Sequence, residues 1–171
     1  MPGRKDSKES FFIVLWYNVL ASGEEIMITK NAEETREIAR QLGERINAKT
    51  TILLKGDLGA GKTTFTKGFA QGLGIIKTVN SPTFTMMKVY HGRLDLYHID
   101  AYRLEGLNQD LGFEDQLEED AVCVIEWPEY IEDVLPEERL EITIQTISET
   151  ERELIAVGKG LYHESLAEVL K

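Results

Sequence analysis

Residues 50–64 read TTILLKGDLGAGKTT, an apolar and β-branched run that leads directly into a glycine-rich segment. The run at 50–54 predicts a buried β-strand, and the residues after the glycines predict a helix from about 62 to 73. Residues 56–63 fit the pattern G-x-x-x-x-G-K-[ST] without a mismatch. A strand before this pattern and a helix after it are the context in which it forms a P-loop. The sequence therefore predicts a nucleoside triphosphate site.

Each residue type in the pattern at 56–63 has a specific role in binding phosphate or metal. Glycines allow backbone conformations with positive φ and a close approach to phosphate, and consecutive N–H groups then form an anion-binding nest beside a helix N-terminus. Lys62 supplies positive charge to the β- and γ-phosphates, and Thr63 offers a hydroxyl to Mg²⁺. The predicted nucleotide-binding residues are Gly56, Asp57, Leu58, Gly59, Ala60, Gly61, Lys62, Thr63 and Thr64.

A carboxylate is expected beside the P-loop, because a triphosphate needs a divalent metal to balance its charge. The wholly apolar run at 121–125 predicts a strand buried on both faces, and Glu126 follows it directly. A carboxylate at the end of such a strand, next to the P-loop strand, can reach Mg²⁺ directly or through a water. Glu126 and Thr63 are therefore the predicted metal ligands. The alternative is that Glu126 is simply the first solvated residue after a strand.

Two polar positions between these segments are candidates for hydrolysis. Thr83 lies in a Ser-Pro-Thr-Phe loop, where a threonine can respond to the γ-phosphate as switch loops do; an ordinary Ser-Pro turn is the alternative. Asp100 is predicted to project from a strand end, where it can orient an attacking water or hold a metal-bound water. The alternative for Asp100 is a structural pair with Arg103. His98 or Arg103 can instead contact phosphate or a partner.

The rest of the pattern predicts one α/β domain. Apolar spacing of four residues predicts an amphipathic helix at 32–47, and strand-like pairs at 84–90 with 94–100 and at 139–147 with 152–158 predict two β-hairpins. We predict a three-layer P-loop NTPase fold with a mixed sheet, in which antiparallel hairpins join a parallel centre. The remaining predicted elements are a strand at 26–30, a partly helical acidic stretch at 105–120 and a helix at 161–170.

Length and charge limit the possible functions. The chain has 171 residues, of which 42% are hydrophobic and 29% charged, and a single cysteine. These numbers predict one globular domain without an intrachain disulfide, as expected of a cytoplasmic protein. The formal net charge of −11 argues against direct binding to a nucleic-acid backbone, which needs a basic surface.

The N-terminal region needs separate treatment. The apolar run at 11–17 loosely imitates a signal peptide, but acidic residues lie in the region before it that should be positively charged. The run is too short for a transmembrane helix, and no other segment approaches that length. We therefore predict an N-terminal extension at 1–26, a single P-loop domain at 27–171, and no membrane association.

Four segments together resemble a known family. In chain order they are GDLGAGKTT at 56–64, SPTF at 81–84, YHIDAYRL at 97–104 and VIEWPE at 124–129. This combination is similar to the bacterial TsaE proteins, over about residues 27–158. Glu-Trp-Pro after the metal strand is unusual among P-loop proteins, so the joint pattern is more specific than the P-loop alone. The resemblance implies a small cytoplasmic ATPase needed to make N6-threonylcarbamoyladenosine in tRNA.

The resemblance also implies partners and roles. ATP is the implied nucleotide, and the implied partners are TsaB and TsaD, of which TsaD carries the transfer chemistry onto adenosine 37 of the tRNA. The ATPase is implied to be weak alone, to be stimulated in the assembly and to reset it between turnovers, so the acidic chain meets tRNA only indirectly. The matched motifs imply phosphate binding by Lys62, Mg²⁺ binding by Thr63 and Glu126, hydrolysis or switching by Asp100 and Thr83, and packing of Trp127 near the nucleotide.

Two alternative functions use the same P-loop. A small-molecule kinase usually needs a lid with arginines over the transferred phosphate, and the central region offers only Arg93 and Arg103. A non-catalytic switch would use ATP binding alone to gate assembly of a complex. Activity separates the alternatives, because a kinase yields a phosphorylated product and a switch works without hydrolysis.

Overall fold

The computed structural model describes residues 24–82, 84–106 and 112–160. Within these residues the strands are β1 (Glu24–Thr29), β2 (Thr50–Lys55), β3 (Met87–Tyr90), β4 (Leu96–Asp100), β5 (Val122–Glu126), β6 (Arg139–Thr146) and β7 (Arg152–Lys159). The α-helices are α1 (Ala32–Arg45), α2 (Lys62–Gly72) and α3 (Phe113–Glu118), and 3₁₀ helices cover Tyr102–Leu104 and Pro128–Val134. The strands form one sheet in the order β1-β7-β6-β2-β5-β4-β3.

The centre of this sheet is parallel and its margins are antiparallel. β2 pairs in parallel with β5 on one side and with β6 on the other, and β5 pairs in parallel with β4. The β3–β4 and β6–β7 hairpins and the β1–β7 pair are antiparallel. The predicted mixed sheet, with hairpins added to a parallel centre, is therefore confirmed.

Apolar side chains cover both faces of the sheet. On one face, Ile52 and Leu54 of β2 share a cluster with Phe65 and Phe69 of α2 and with apolar residues of α1. On the other face, Leu53 shares a cluster with residues of α3 and of both 3₁₀ helices. Successive residues of a strand point to opposite faces, so the consecutive apolar residues 52–54 of β2 are the pattern that two covered faces require. The predicted three layers are confirmed.

Helices α1 and α2 touch through their backbones. A Cβ atom built on Gly68 would lie 2.0 Å from the carbonyl oxygen of Arg36, and one built on Gly72 would lie 2.1 Å from that of Arg40. Glycine is the residue that permits so close an approach. Because α2 begins where the P-loop ends, this contact sets the position of the helix that follows the loop.

The boundaries differ from the predicted ones by a few residues. β1 begins at Glu24, because Glu24 and Glu25 pair with β7, and the helix predicted at 32–47 ends at Arg45. The helix predicted at 161–170 lies outside the described residues, and the division into 1–26 and 27–171 stays a prediction. Within the described part of the chain, none of the helices has the length and apolar character needed to cross a membrane.

The N-terminus of α1 is capped by side chains, which leads to a first prediction. Asn31 Oδ1 accepts a hydrogen bond from the Glu34 N–H at 2.9 Å, and Glu34 Oε2 accepts one from the Lys30 N–H at 2.8 Å. We expect Asn31→Ala to lower the free energy of unfolding by about 1 kcal/mol in urea denaturation, because one N–H of the first turn loses its partner. Asn80→Ala is the control, since the hydrogen bonds that Asn80 makes with other described residues involve its backbone. An equal loss in both variants would contradict the capping role.

Candidate nucleotide-binding site

The P-loop lies at the carboxyl edge of the parallel strands, where open α/β sheets bind their ligands. β2 ends at Lys55, the loop covers 56–61, and α2 begins at Lys62. Asp100 and Glu126 are the last residues of the parallel strands β4 and β5, and they are direct neighbours in the register. The sheet therefore brings both predicted carboxylates to the edge that carries the loop.

The loop backbone shows why glycine is needed in this pattern. The φ angles are 151° at Gly56, 78° at Gly59 and 110° at Gly61, which side chains disfavour. Gly56 is also confined, because a Cβ atom there would lie 2.5 Å from the carbonyl oxygen of Ile144 in β6. The loop is thus seated against β6 as well as between β2 and α2.

Lys62 is held at the loop by contacts within the protein. The residue is 6% exposed, and its Nζ donates to the carbonyls of Gly56 at 2.6 Å and Asp57 at 2.9 Å. Nζ also lies 4.2 Å from the ring centroid of Trp127. Burial lowers the pKa of Lys62 from its ordinary value, and the negative charge of Glu126 opposes this shift. Trp127 therefore packs beside the P-loop lysine.

Glu126 is part of β5 and is buried. It is 4% exposed, and its Oε1 lies 2.8 Å from Nε2 of His98, which is fully buried. The alternative in which Glu126 is the first solvated residue after a strand is therefore wrong. The interpretation of His98 as a contact for phosphate or a partner also needs correction, because its ring is directed to Glu126. Contact between these two side chains depends on strand pairing, which local sequence patterns do not specify.

Asp100 is 7% exposed, and its Oδ1 accepts a hydrogen bond from the Tyr102 N–H at 3.0 Å. Arg103 lies instead over the Phe84 ring, with Cζ 5.0 Å from its centroid, and in the described ranges no ion pair joins Arg103 to Asp100. Asp100 thus lies just before the short 3₁₀ helix, and its negative charge, like that of Glu126, opposes the lowering of the Lys62 pKa by burial. Thr83 falls outside the described residues, so its role stays a prediction.

Arg152 is a loop contact that the sequence did not reveal. Its Nε donates to the carbonyl of Ala60 at 2.8 Å, and its Nη1 donates to the carbonyl of Ser148 at 3.0 Å. The side chain of β7 therefore joins the P-loop to the turn between β6 and β7. No sequence signal points to this bond, because it joins residues that are 92 positions apart.

The side chains at the P-loop edge of the sheet carry the types of donor atom that Mg²⁺ binds. Glu126 and Asp100 offer carboxylates and Thr63 a hydroxyl, which are the oxygen donors that Mg²⁺ prefers. Among the residues that the structure describes, no group of three or more His, Cys, Asp or Glu side chains could hold a metal by itself. Mg²⁺ in nucleotide sites keeps several waters and takes phosphate oxygens as ligands. A few protein oxygen donors therefore fit a Mg²⁺ ion that binds together with a nucleotide, whose phosphate oxygens supply further ligands.

A cavity of about 360 Å³ adjoins the P-loop and is lined by Gly56, Asp57, Ala60 and residues 143–146 of β6. Another cavity, of about 710 Å³, lies near the start of β2, at the opposite edge of the sheet. The larger cavity contains none of the predicted site residues. Choosing the nucleotide site by cavity volume would therefore select the wrong cavity, because the smaller cavity is the one beside the P-loop.

The chain is similar to proteins of one family along most of its length. The profile of the family described as threonylcarbamoyl adenosine biosynthesis protein TsaE matches residues 29–154. The tRNA threonylcarbamoyladenosine biosynthesis protein TsaE of Bacillus subtilis (strain 168) is 48% identical over 143 residues, which are 83% of this chain and 90% of that protein. The protein of the same name from Treponema pallidum (strain Nichols) is 40% identical over 129 residues, 74% of this chain and 96% of that protein. The crystal structure of Bacillus subtilis YdiB matches with a TM-score of 0.75 and 42% identity, covering 86% of this chain and 93% of that one.

Proposed function

This chain belongs to the TsaE family of threonylcarbamoyl adenosine biosynthesis proteins, and we propose that it binds and hydrolyses ATP with Mg²⁺ in the assembly that installs threonylcarbamoyl on adenosine 37 of tRNA. The observation that carries this proposal is the meeting of Lys62, Asp100 and Glu126 at the P-loop edge of the sheet. Hydrolysis resets the assembly between turnovers, and it is slow until the partner proteins bind.

In this proposal Lys62 and the loop backbone bind the phosphates. The ammonium of Lys62 is already at the loop, on the carbonyls of Gly56 and Asp57. A phosphate oxygen would replace these neutral carbonyl acceptors with an anionic one, which adds the attraction between opposite charges to the hydrogen bond. The N-terminus of α2 directs its dipole to the same place, and the adjoining cavity provides room for the rest of the nucleotide.

Glu126 and Thr63 are the proposed holders of Mg²⁺, which when bound neutralises charge on the β- and γ-phosphate oxygens. Burial and the bond from His98 hold the Glu126 carboxylate in place. Asp100 is the proposed residue that orients the attacking water, since one of its oxygens is bonded to the Tyr102 N–H and the second can accept a hydrogen bond from water. Thr83 is the proposed sensor of the γ-phosphate.

The proposed partners are TsaB and TsaD, and tRNA is reached through them. The net charge of −11 makes the chain repel a phosphate backbone, so its own surface is poorly suited to holding tRNA. A partner that holds the tRNA removes this difficulty. This chain then needs only to bind and hydrolyse the nucleotide.

The positions of two arginines favour the ATPase over a small-molecule kinase. Arg93 donates to the Gly43 carbonyl at 2.9 Å and to Asn47 Oδ1 at 3.3 Å, which places it near the end of α1 and the start of β2. That edge of the sheet is opposite the P-loop. Arg103 lies over the Phe84 ring. Arg93 is therefore not placed as the arm of a lid over a transferred phosphate, and the guanidinium of Arg103 is engaged with an aromatic ring.

The proposal is tested by ATP turnover with and without partners. We expect phosphate release by this protein to increase when the TsaB and TsaD proteins of the same organism are added, because the assembly completes the site. The release is measured for the protein alone, with the pair, and with the pair and tRNA. Glu126→Gln is the matched control, since it keeps the side-chain shape but removes the charge proposed to hold Mg²⁺, and it should show no increase.

Three outcomes would speak against this function. Unchanged turnover in the presence of the pair would contradict stimulation by partners. A phosphorylated small molecule in a metabolite screen would favour the kinase. Full tRNA modification over many turnovers by an Asp100→Ala variant that no longer hydrolyses ATP would favour the non-catalytic switch.

A further inference from the structure

The buried ring of His98 makes one directed contact. His98 is 0% exposed, and its Nε2 lies 2.8 Å from Oε1 of Glu126. Its Nδ1 is buried and finds no hydrogen-bond partner in the described part of the chain. Because a carboxylate only accepts hydrogen bonds, the hydrogen belongs on Nε2. The ring is therefore bonded at the nitrogen that faces Glu126.

Strand pairing produces this contact. In the register of β4 and β5, His98 lies opposite Val124, and Asp100 lies opposite Glu126. Alternate residues of a strand share a face, so the three polar side chains of His98, Asp100 and Glu126 lie on the face that α1 and α2 cover. The imidazole is two residue pairs farther from the sheet edge than the carboxylate that it contacts.

Packing alone does not account for a histidine at this position. A buried polar nitrogen without a partner destabilises the folded state, and an apolar side chain of similar size would fill the space without leaving Nδ1 unpaired. What an apolar side chain lacks is the N–H that bonds Oε1 of Glu126. The bond restricts the conformations of Glu126 and leaves Oε2 as the carboxylate oxygen that can meet a cation.

We propose that His98 is a positioning residue for Mg²⁺, because its Nε2–H holds Oε1 of Glu126 and so presents the carboxylate to the metal that accompanies the nucleotide. This inference rests on the proposed function and adds to it a residue that contacts neither nucleotide nor metal. Hydrogen-bonded partners of metal ligands orient those ligands, and losing one typically lowers metal affinity by about 10–100-fold.

Three substitutions of His98 separate positioning from packing. The amide nitrogen of glutamine can take the place of Nε2, whereas that of asparagine takes the place of Nδ1. The half-saturating Mg²⁺ concentration is measured by calorimetry with a non-hydrolysable ATP analogue, and the affinity for the analogue is measured again with a chelator. We expect this concentration to rise about tenfold in His98→Ala and His98→Asn and to stay near wild type in His98→Gln. The affinity in chelator should not change, and His91→Ala, whose side chain is 79% exposed, should resemble wild type.

Several results would overturn the proposal. A Gln variant as defective as the Asn variant would show that a donor at Nε2 is not what matters. Equal losses with Mg²⁺ and with chelator would show that His98 supports only the fold. If the Ala variant does not fold by circular dichroism, the comparison of Gln with Asn decides alone. Failure of the wild-type protein to bind nucleotide with Mg²⁺ would refute the proposed function itself, whereas normal wild-type binding with unchanged variants would refute only the role of His98.

Discussion

Lys62→Ala is expected to weaken ATP binding by about 10- to 150-fold, because a charge-assisted contact contributes roughly 1.5–3 kcal/mol. Lys62 is 6% exposed, and its Nζ lies 2.6 Å from the Gly56 carbonyl oxygen. The ammonium is therefore at the loop before a phosphate arrives, and little rearrangement is needed for binding. Calorimetric titration with a non-hydrolysable ATP analogue and Mg²⁺ measures the loss.

Two controls make this result specific to the site. Lys77→Ala removes the same charge from an exposed position beyond α2, so an equal loss there would assign the effect to net charge. Lys62 also bonds the loop carbonyls and lies on the Trp127 ring, so the thermal unfolding of the variant is measured separately. Unchanged affinity in a folded Lys62→Ala protein would exclude the proposed phosphate site.

The phosphate loop was predictable because the spacing of its glycines, lysine and threonine directly reflects the backbone conformation that binds phosphate. Gly56 and Gly61 stand where φ is 151° and 110°, and the apolar run before them has the pattern of a strand covered on both faces. The hairpins were predictable for a similar reason, since each joins neighbouring strands through a short turn. Features set by contacts within a few residues can be predicted from one sequence.

The contacts that complete the site could not be predicted in this way. His98 and Glu126 are 28 positions apart, and they meet only because β4 and β5 are adjacent and in a particular register. Proximity in sequence was also misleading, since Asp100 and Arg103 are three positions apart without pairing in the described structure. The Arg103 guanidinium lies instead over the Phe84 ring. Strand order, register and side-chain direction decide such contacts, and none of them has a local pattern.

Gly68→Ala and Gly72→Ala are expected to lower the free energy of unfolding by about 2 kcal/mol each. Alanine normally favours a helix over glycine by about 1 kcal/mol, so the expected sign is the reverse of the helix propensity. The added Cβ atoms would lie 2.0 Å from the Arg36 carbonyl oxygen and 2.1 Å from that of Arg40. A backbone carbonyl cannot rotate away as a flexible side chain can, so the helices must separate, and overpacking of this kind costs about 1–3 kcal/mol or more.

Gln71→Ala tests this explanation within the same helix. Gln71 is exposed on α2 between the contact positions, so its replacement should leave stability unchanged or slightly increased. Thermal unfolding should place the Gly72→Ala midpoint roughly 4–8 °C below that of Gln71→Ala, and equal midpoints would show that the backbone contact is not limiting. Because α2 begins at Lys62, a helix displaced from α1 also moves the end of the phosphate loop. Nucleotide affinity should therefore fall in Gly68→Ala at temperatures where it is fully folded, and an affinity equal to that of Gln71→Ala would mean that the loop holds its shape independently of the helix contact.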